Sequence, residues 1–285
     1  MPEVWFPNLG VKIDRLPKVA FEVFNVPIYV YALCITFGVI VGYLLAEREA
    51  KRLNLGKDII FDYISLAMFV AIAGARLYYI IFTWDSYKDN LIKVFNIREG
   101  GLAIYGGIIA AVIYTVFFVK KRGIKLSYFL DALAPSLAIG QSIGRCGNFF
   151  NREVFGRYTE NLFAMRYLKN QVPSIPDSVL QHIVVEGGAE YIQVEPTFLY
   201  ESLWNLGVFF ILFYMQRHKK FDGQVAAFYF LLYGVGRAWI EGIRTDQLLF
   251  LGFPVSVMVS VILAAVSVIY ISKNFYKYKQ GGKLT

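Results

Sequence analysis

Seven stretches of this chain are apolar for roughly 16–24 residues, the length a helix needs to cross a ~30 Å hydrocarbon layer. They run over 28–46, 59–82, 102–119, 128–143, 197–215, 225–243 and 250–271. Inside lipid each backbone N–H and C=O must be satisfied within its own segment, so such runs read as helices. The expected fold is therefore an all-α polytopic membrane protein with seven transmembrane helices, a single integral membrane domain over 1–285. The fourth run is the least regular, because Pro135 and Gly140 interrupt it. Composition agrees: 57% of residues are hydrophobic and only 18% charged, against about 25% charged in soluble domains. Two cysteines, Cys34 and Cys146, exclude a disulfide scaffold. Two histidines, His182 and His218, leave no histidine metal cluster, so neither a metal nor a cofactor is expected. The first apolar run follows a stretch that carries Glu3, Asp14 and Glu22 and no basic leader; a cleaved signal peptide is not expected.

The distribution of Lys and Arg sets the orientation. The segments 47–58, 120–127, 216–224 and 272–285 hold fifteen basic residues in 43 positions. The alternate set, 1–27, 83–101, 144–196 and 244–249, holds twelve in 105. The first set reads as cytoplasmic, which puts the N-terminus outside and the C-terminus in the cytoplasm. Anionic membrane lipid and this bias account for the net charge of +8, and no nucleic acid is implied. The one long extramembrane segment, 144–196, reads as a small external cap, with 189–195 as a short strand.

Charges inside the spans narrow the search further, since each costs several kcal/mol in lipid unless paired. Arg76, Glu201, Arg237 and Glu241 fall within the predicted helices near their outer ends, as does Tyr31. Asp62 and Asp131 fall at inner helix starts, where a carboxylate complements the dipole. Arg237 and Glu241 are spaced i, i+4 and can pair on one face; so are Glu201 and Asn205. Such pairs can equally hold helices together, and Arg76 can equally snorkel to the headgroups.

The densest polar stretch is Gly144-Arg145-Cys146-Gly147-Asn148-Phe149-Phe150-Asn151-Arg152-Glu153-Val154-Phe155-Gly156-Arg157, directly after the fourth span. Its glycines let backbone approach a ligand closely, and its arginines can fork onto phosphate oxygens. The pattern Gly144-Arg145-x-Gly147-Asn148-Phe149-x-Asn151-x-Glu153-x-x-Gly156 resembles the signature of bacterial prolipoprotein diacylglyceryl transferases. Further motifs follow in order along most of the chain. They are Tyr29-x-Tyr31, Gly74-x-Arg76, Gly100-Gly101-Leu102-x-x-Tyr105-Gly106-Gly107, Pro196-x-x-Leu199-Tyr200-Glu201 and Tyr233-Gly234-x-x-Arg237-x-x-x-Glu241-x-x-Arg244.

The resemblance implies a multi-pass enzyme of the bacterial plasma (inner) membrane, its active site facing outside. It implies transfer of the diacylglyceryl group of phosphatidylglycerol to the lipobox cysteine thiol of a preprolipoprotein signal peptide, with release of glycerol phosphate. The nucleophile then belongs to the substrate, which explains why this chain offers so few candidates of its own. Negative charge gathers on the leaving phosphate, and fixed arginines would stabilise it in the transition state. On this reading Arg145 and Arg237 serve the phosphate, with Tyr31 and Tyr105 as further catalytic candidates. Asn148, Asn151, Glu153, Gly156, Glu201, Tyr233, Glu241, Arg244 and Arg76 complete the substrate-binding set.

At Tyr105 much of the family carries His. Neutral imidazole accepts a thiol proton near pH 7, whereas a phenol with pKa about 10 is a poor base, so the general base stays open between Tyr105, Tyr31 and none. Cys146, at an unspecified signature position, reads as a packing residue, Cys34 as core, and both histidines as structural. The competing class is a phospholipid transporter or flippase holding anionic headgroups at the outer leaflet. One-sided charges argue against it, since alternating access wants them near the midplane.

Overall fold

The computed structural model describes residues 1–88, 90–96, 100–245 and 247–281. Seven long helices run over Val30–Arg52 (α1), Ile59–Phe82 (α2), Ile104–Lys121 (α3), Leu126–Asn151 (α4), Thr197–His218 (α6), Gln224–Glu241 (α7) and Val255–Lys279 (α8), and a single turn, Asp177–Leu180, forms α5. Among the described residues α1, α2, α3, α6 and α8 are long and apolar enough to span a bilayer. This is the architecture of a polytopic membrane protein. Helices α4 and α7 are more polar because they bear Asp131, Ser136, Gln141, Arg145, Arg237 and Glu241. Basic residues stand in the last turns of α1, α3, α6 and α8, where they complement the helix dipole.

Two features depart from the sequence expectation. Pro135 lies inside α4 without ending it, so the helix reaches Asn151 and the first half of the signature is helical rather than loop. Short strands also accompany the helices. Short strands Val4–Phe6 (β1), Val11–Ile13 (β2), Met165–Leu168 (β5), Val184–Glu186 (β6) and Ala189–Val194 (β7) form an antiparallel sheet in the order β2-β1-β5-β7-β6. Two hairpins complete the strands: Val19–Val23 (β3) with Val26–Tyr29 (β4), and Leu249–Phe250 (β8) with Phe253–Pro254 (β9). The last occupies positions expected to begin the seventh span.

The chain divides into two compact units, Met1–Gly42 with Leu133–Thr285, and Tyr43–Ala132. In the first, α1 crosses α4 on small residues: a Cβ on Gly38 would lie 3.2 Å from the Gly140 carbonyl, and one on Gly42 the same distance from that of Ser136. Such steps let helix backbones touch where no hydrophobic effect drives them together. Helix α7 packs between α6 and α8, tied to α6 by the Trp204 indole N–H donating to the Leu232 carbonyl (3.0 Å). Strands β1 and β5 alternate as half-buried strands do, while β7 is buried from Tyr191 to Val194. Val4, Phe6, Met165, Tyr167, Ile192 and Val194 face a core shared with Phe198 at the start of α6. Phe149 near the end of α4 stacks on Phe198 at 4.9 Å, so the cap core seats directly on the two helix ends that carry the candidate site.

The second unit is built on the α2–α3 pair. Its contact closes over Gly74 and Gly106, where a Cβ on Gly74 would meet the Gly106 carbonyl at 2.8 Å. Tyr63 bonds Thr115 (2.7 Å) and Arg122 pairs with Asp62 (2.5 Å).

Candidate active site

Continuation of α4 through Asn151 decides how the signature is displayed. Arg145 and Asn148 stand i, i+3 on one face, and the Arg145 guanidinium reaches the Asn148 amide oxygen at 3.4 Å. The helix then reverses sharply. Arg152 (φ 55°) and Val154 (φ 57°) are left-handed, a costly conformation for a β-branched valine. The Arg152 and Glu153 amides donate back to the Phe149 and Asn148 carbonyls, both at 3.1 Å. The reversal carries Glu153 back over the helix end, where its Oε1 accepts from the amides of Asn148 (3.0 Å) and Asn151 (3.1 Å).

The next residues clamp α6 and α7 together. Gly156 N donates to Glu195 O (2.9 Å), Glu195 N to Arg157 O (3.0 Å) and Arg157 N to Ile243 O (3.0 Å); Gly156 bridges Arg244. A Cβ at Gly156 would come within 2.7 Å of Glu195 Cβ and 3.0 Å of the Ile243 carbonyl, which leaves room for glycine alone.

The clamp converges on a charge cluster. Glu201 Oε1 lies 2.6 Å from Arg145 and 3.3 Å from Arg237, and its Oε2 lies 3.9 Å from Arg244. Arg237 also pairs with Glu241 at 2.8 Å, and Arg244 Nε stands 3.8 Å from the same carboxylate. Glu201 is 3% exposed and Glu241 2%. Burial strengthens each attraction and makes any unpaired charge expensive. The i, i+4 pair of Arg237 and Glu241 is thus one edge of a five-residue network spanning α4, α6 and α7, not an isolated strut. Asn205 is buried on the Glu201 face. Tyr31, at the start of α1, lies flat against α4: a Cβ on Gly147 would meet its ring at 2.6 Å. Tyr233 stacks on Tyr229 at 5.9 Å, one turn before Arg237.

Two sequence candidates, Arg76 and Tyr105, lie in the second unit. Arg76 is buried, and its guanidinium donates to the carbonyls of Lys93, Val94, Asn96, Gly100 and Gly101 at 2.7–3.1 Å. It gathers that loop around itself instead of reaching towards headgroups. Tyr105 is half-buried in the first turn of α3.

Several residues that build the site were not read from the sequence. Glu195 accepts from Asn161 (2.9 Å) and Tyr200 (2.8 Å) beside the clamp. Thr197 donates to the Val154 carbonyl (2.6 Å) and thereby secures the strained reversal. Gln247 donates to the carbonyls of Glu241 and Arg244. Only Glu195, an acid before Pro196, could have been suspected. His182 and His218 bond backbone carbonyls in their own segments. Cys146 is exposed, and both cysteines are free thiols. Among the described residues no group of three His, Cys, Asp or Glu is poised to hold a metal ion.

Residues 18–273 match the family model described as prolipoprotein diacylglyceryl transferase. The chain belongs to the prolipoprotein diacylglyceryl transferase family. Among its relatives is the phosphatidylglycerol–prolipoprotein diacylglyceryl transferase of Streptococcus suis (strain 05ZYH33), 42% identical over 259 residues, 90% of this chain and 92% of the relative. That of Finegoldia magna is 42% identical over 255 residues, covering 89% and 94%, and that of Bacillus cereus (strain B4264) 38% over 263 residues, covering 92% and 94%.

Proposed function

We propose that this chain transfers the diacylglyceryl group of phosphatidylglycerol to the thiol of a lipobox cysteine in a preprolipoprotein signal peptide, the first step of bacterial lipoprotein maturation. The cysteine sulfur attacks the glyceryl carbon that bears the phosphate. A C–S bond forms as the C–O bond breaks, the electron pair leaves on glycerol phosphate, and the thiol proton is released. The observation that carries this reading is the gathering of Arg145, Arg237 and Arg244 around Glu201 and Glu241. Guanidiniums held in place before the reaction stabilise charge that develops on a departing phosphate without reorganising at that moment.

In this proposal Arg145 and Arg237 contact the phosphate. Asn148, Asn151, Glu153, Tyr233 and Arg244 orient those arginines or the glycerol headgroup. Gly156 keeps the clamp tight, and Tyr31 lines the site against α4. Tyr105 keeps its candidacy through the family motif alone, and its phenol suits a hydrogen bond better than the work of a base. On the same reading the chain crosses the plasma membrane seven times, with the N-terminus outside and the C-terminus in the cytoplasm, and the site faces outward, where exported acceptors arrive.

The test combines purified protein, phosphatidylglycerol and a lipobox peptide, following peptide mass and glycerol phosphate together. A mass gain of one diacylglyceryl group that requires both substrates is expected. Lipid movement across vesicles with no covalent product would replace the transferase by the flippase.

A further inference from the structure

Two hairpins of the first unit stand at the entrances of helices and present apolar faces that the protein itself leaves uncovered. In the β3–β4 hairpin the turn residues Phe24 and Asn25 have φ 50° and 62°, the paired positive angles of a tight type I′ turn. Phe24 is 98% exposed, and Phe21, Val23 and Val26 are exposed beside it. The β8–β9 hairpin repeats the design. Its turn, Leu251-Gly252, has φ 50° and 81°, Leu251 is 83% exposed, and Phe250 and Phe253 flank it.

Neither hairpin is separated from its helix by a linker. Tyr29 ends β4 and Val30 begins α1; Pro254 ends β9 and Val255 begins α8. Exposed apolar residues therefore recur from each tip onto a spanning helix, at Leu33 and Phe37 on α1 and at Met258 and Ile262 on α8. Water is a poor medium for such tips. The hydrocarbon core is a poor one for the hairpins' unpaired outer edges, whose backbone groups would find no partner there. The boundary between headgroups and acyl chains suits both, and Glu22, exposed within β3, can face the headgroups.

We propose that both hairpins are immersed in the interfacial layer of one leaflet, the one on which Arg145 and Glu201 sit, and that their partner is the lipid surface. The side is fixed within this unit: Tyr31 at the start of α1 packs on Gly147 at the end of α4, and α7, whose end carries Glu241, packs against α8. Immersion sets the depth of the helix ends, and hence of the arginine cluster, relative to lipid phosphates.

The test uses the full chain in phosphatidylglycerol–phosphatidylethanolamine vesicles, with Cys34→Ala and Cys146→Ala as background. Nitroxides are attached at Phe24→Cys, at Leu251→Cys and, as an aqueous reference, at Val11→Cys on the exposed edge strand of the cap. Collision with oxygen is compared with collision with a water-soluble nickel chelate. The expected result is a shift to oxygen-favoured collision at 24 and 251, with nickel-favoured collision at 11. Nickel-favoured collision at both tips overturns the proposal. So does nickel access that closes only when a lipobox peptide is added, which would assign the tips to the acceptor. Labels at Val26→Cys and Phe253→Cys replace either tip label that impairs insertion.

Discussion

Glu201 is the residue on which the arginine cluster turns, because its one carboxylate faces Arg145, Arg237 and Arg244. Glu201→Gln keeps the shape and removes the charge, leaving buried guanidiniums to repel one another, a loss of about 3–5 kcal/mol when a buried pair is broken. The expected outcome is a lowered melting temperature together with loss of transfer, read by calorimetry and by peptide mass. Arg145→Ala acts differently. Arg145 is the least buried of the three arginines, so the protein is expected to insert normally while turnover falls about 10²–10³-fold, the usual effect of deleting one donor to a developing anion. Tyr105→Phe is expected to cost at most about tenfold, since its phenol is a hydrogen-bonding group more than a base; a loss as large as that of Arg145→Ala would make the hydroxyl essential. The identities of these residues were legible in the sequence because a charge in an apolar run is costly wherever it falls. Their partners were less so. The i, i+4 rule shows Arg237 with Glu241, but the contacts from Glu201 to Arg145 and Arg237 cross 56 and 36 positions, and no local spacing records them.

Among elements, the helices in lipid were the easiest to read: the second span, expected over 59–82, is Ile59–Phe82. Of the strands only β7, expected over 189–195, was read; the others escaped for two reasons. Most run only two to five residues, too few for a period of two to register, and β1 pairs with β5 across some 160 positions. At the last span, the apolar run from Leu248 to Phe253 masked the Leu251-Gly252 turn within it. Two element-scale tests follow. Gly156→Ala would drive a methyl into Glu195 and Ile243 and is expected to cost about 1–3 kcal/mol, as overpacking does, with activity lost through the displaced clamp. The second concerns the N-terminal strands, which are held by Glu3. Its carboxylate accepts from the Leu16 amide (2.6 Å), Arg152 (2.7 Å) and Gln171 (3.0 Å). Burial pushes its pKa upward, but these donors outweigh it and hold the carboxyl below its ordinary value. The resulting stabilisation is present above the unfolded value of about 4.3 and fades as pH falls through it towards the folded one. Proteolysis of the first residues is therefore expected to accelerate on acidification below that value. Glu3→Gln is expected to be open to protease at neutral pH and to lack the acid step.

At the scale of the whole molecule, the asymmetry of Lys and Arg is the physical signal in the sequence for which side faces out, and it coincides with the basic last turns of α1, α3, α6 and α8. Single cysteines at Asn170 in the cap and Lys121 at the end of α3, in a background freed of Cys34 and Cys146, are expected to react with impermeant maleimide from opposite sides of intact cells. Reaction of Asn170→Cys only after lysis would reverse the orientation and separate the arginines from any exported acceptor.

The arginine cluster also bears on turnover. Arg145, Arg237 and Arg244 face Glu201 and Glu241, three cations to two anions. A phosphodiester lipid brings one negative charge and leaves these five residues and their guest electrically neutral. The phosphomonoester that departs carries about −1.5 to −2 at pH 7, so cleavage tips the same enclosure into an anionic surplus. On the proposed reading, five residues with a net charge of +1 attract a dianion more strongly than a monoanion, so the leaving group is held more tightly than the lipid was, and its release becomes harder at alkaline pH, where the second proton is gone.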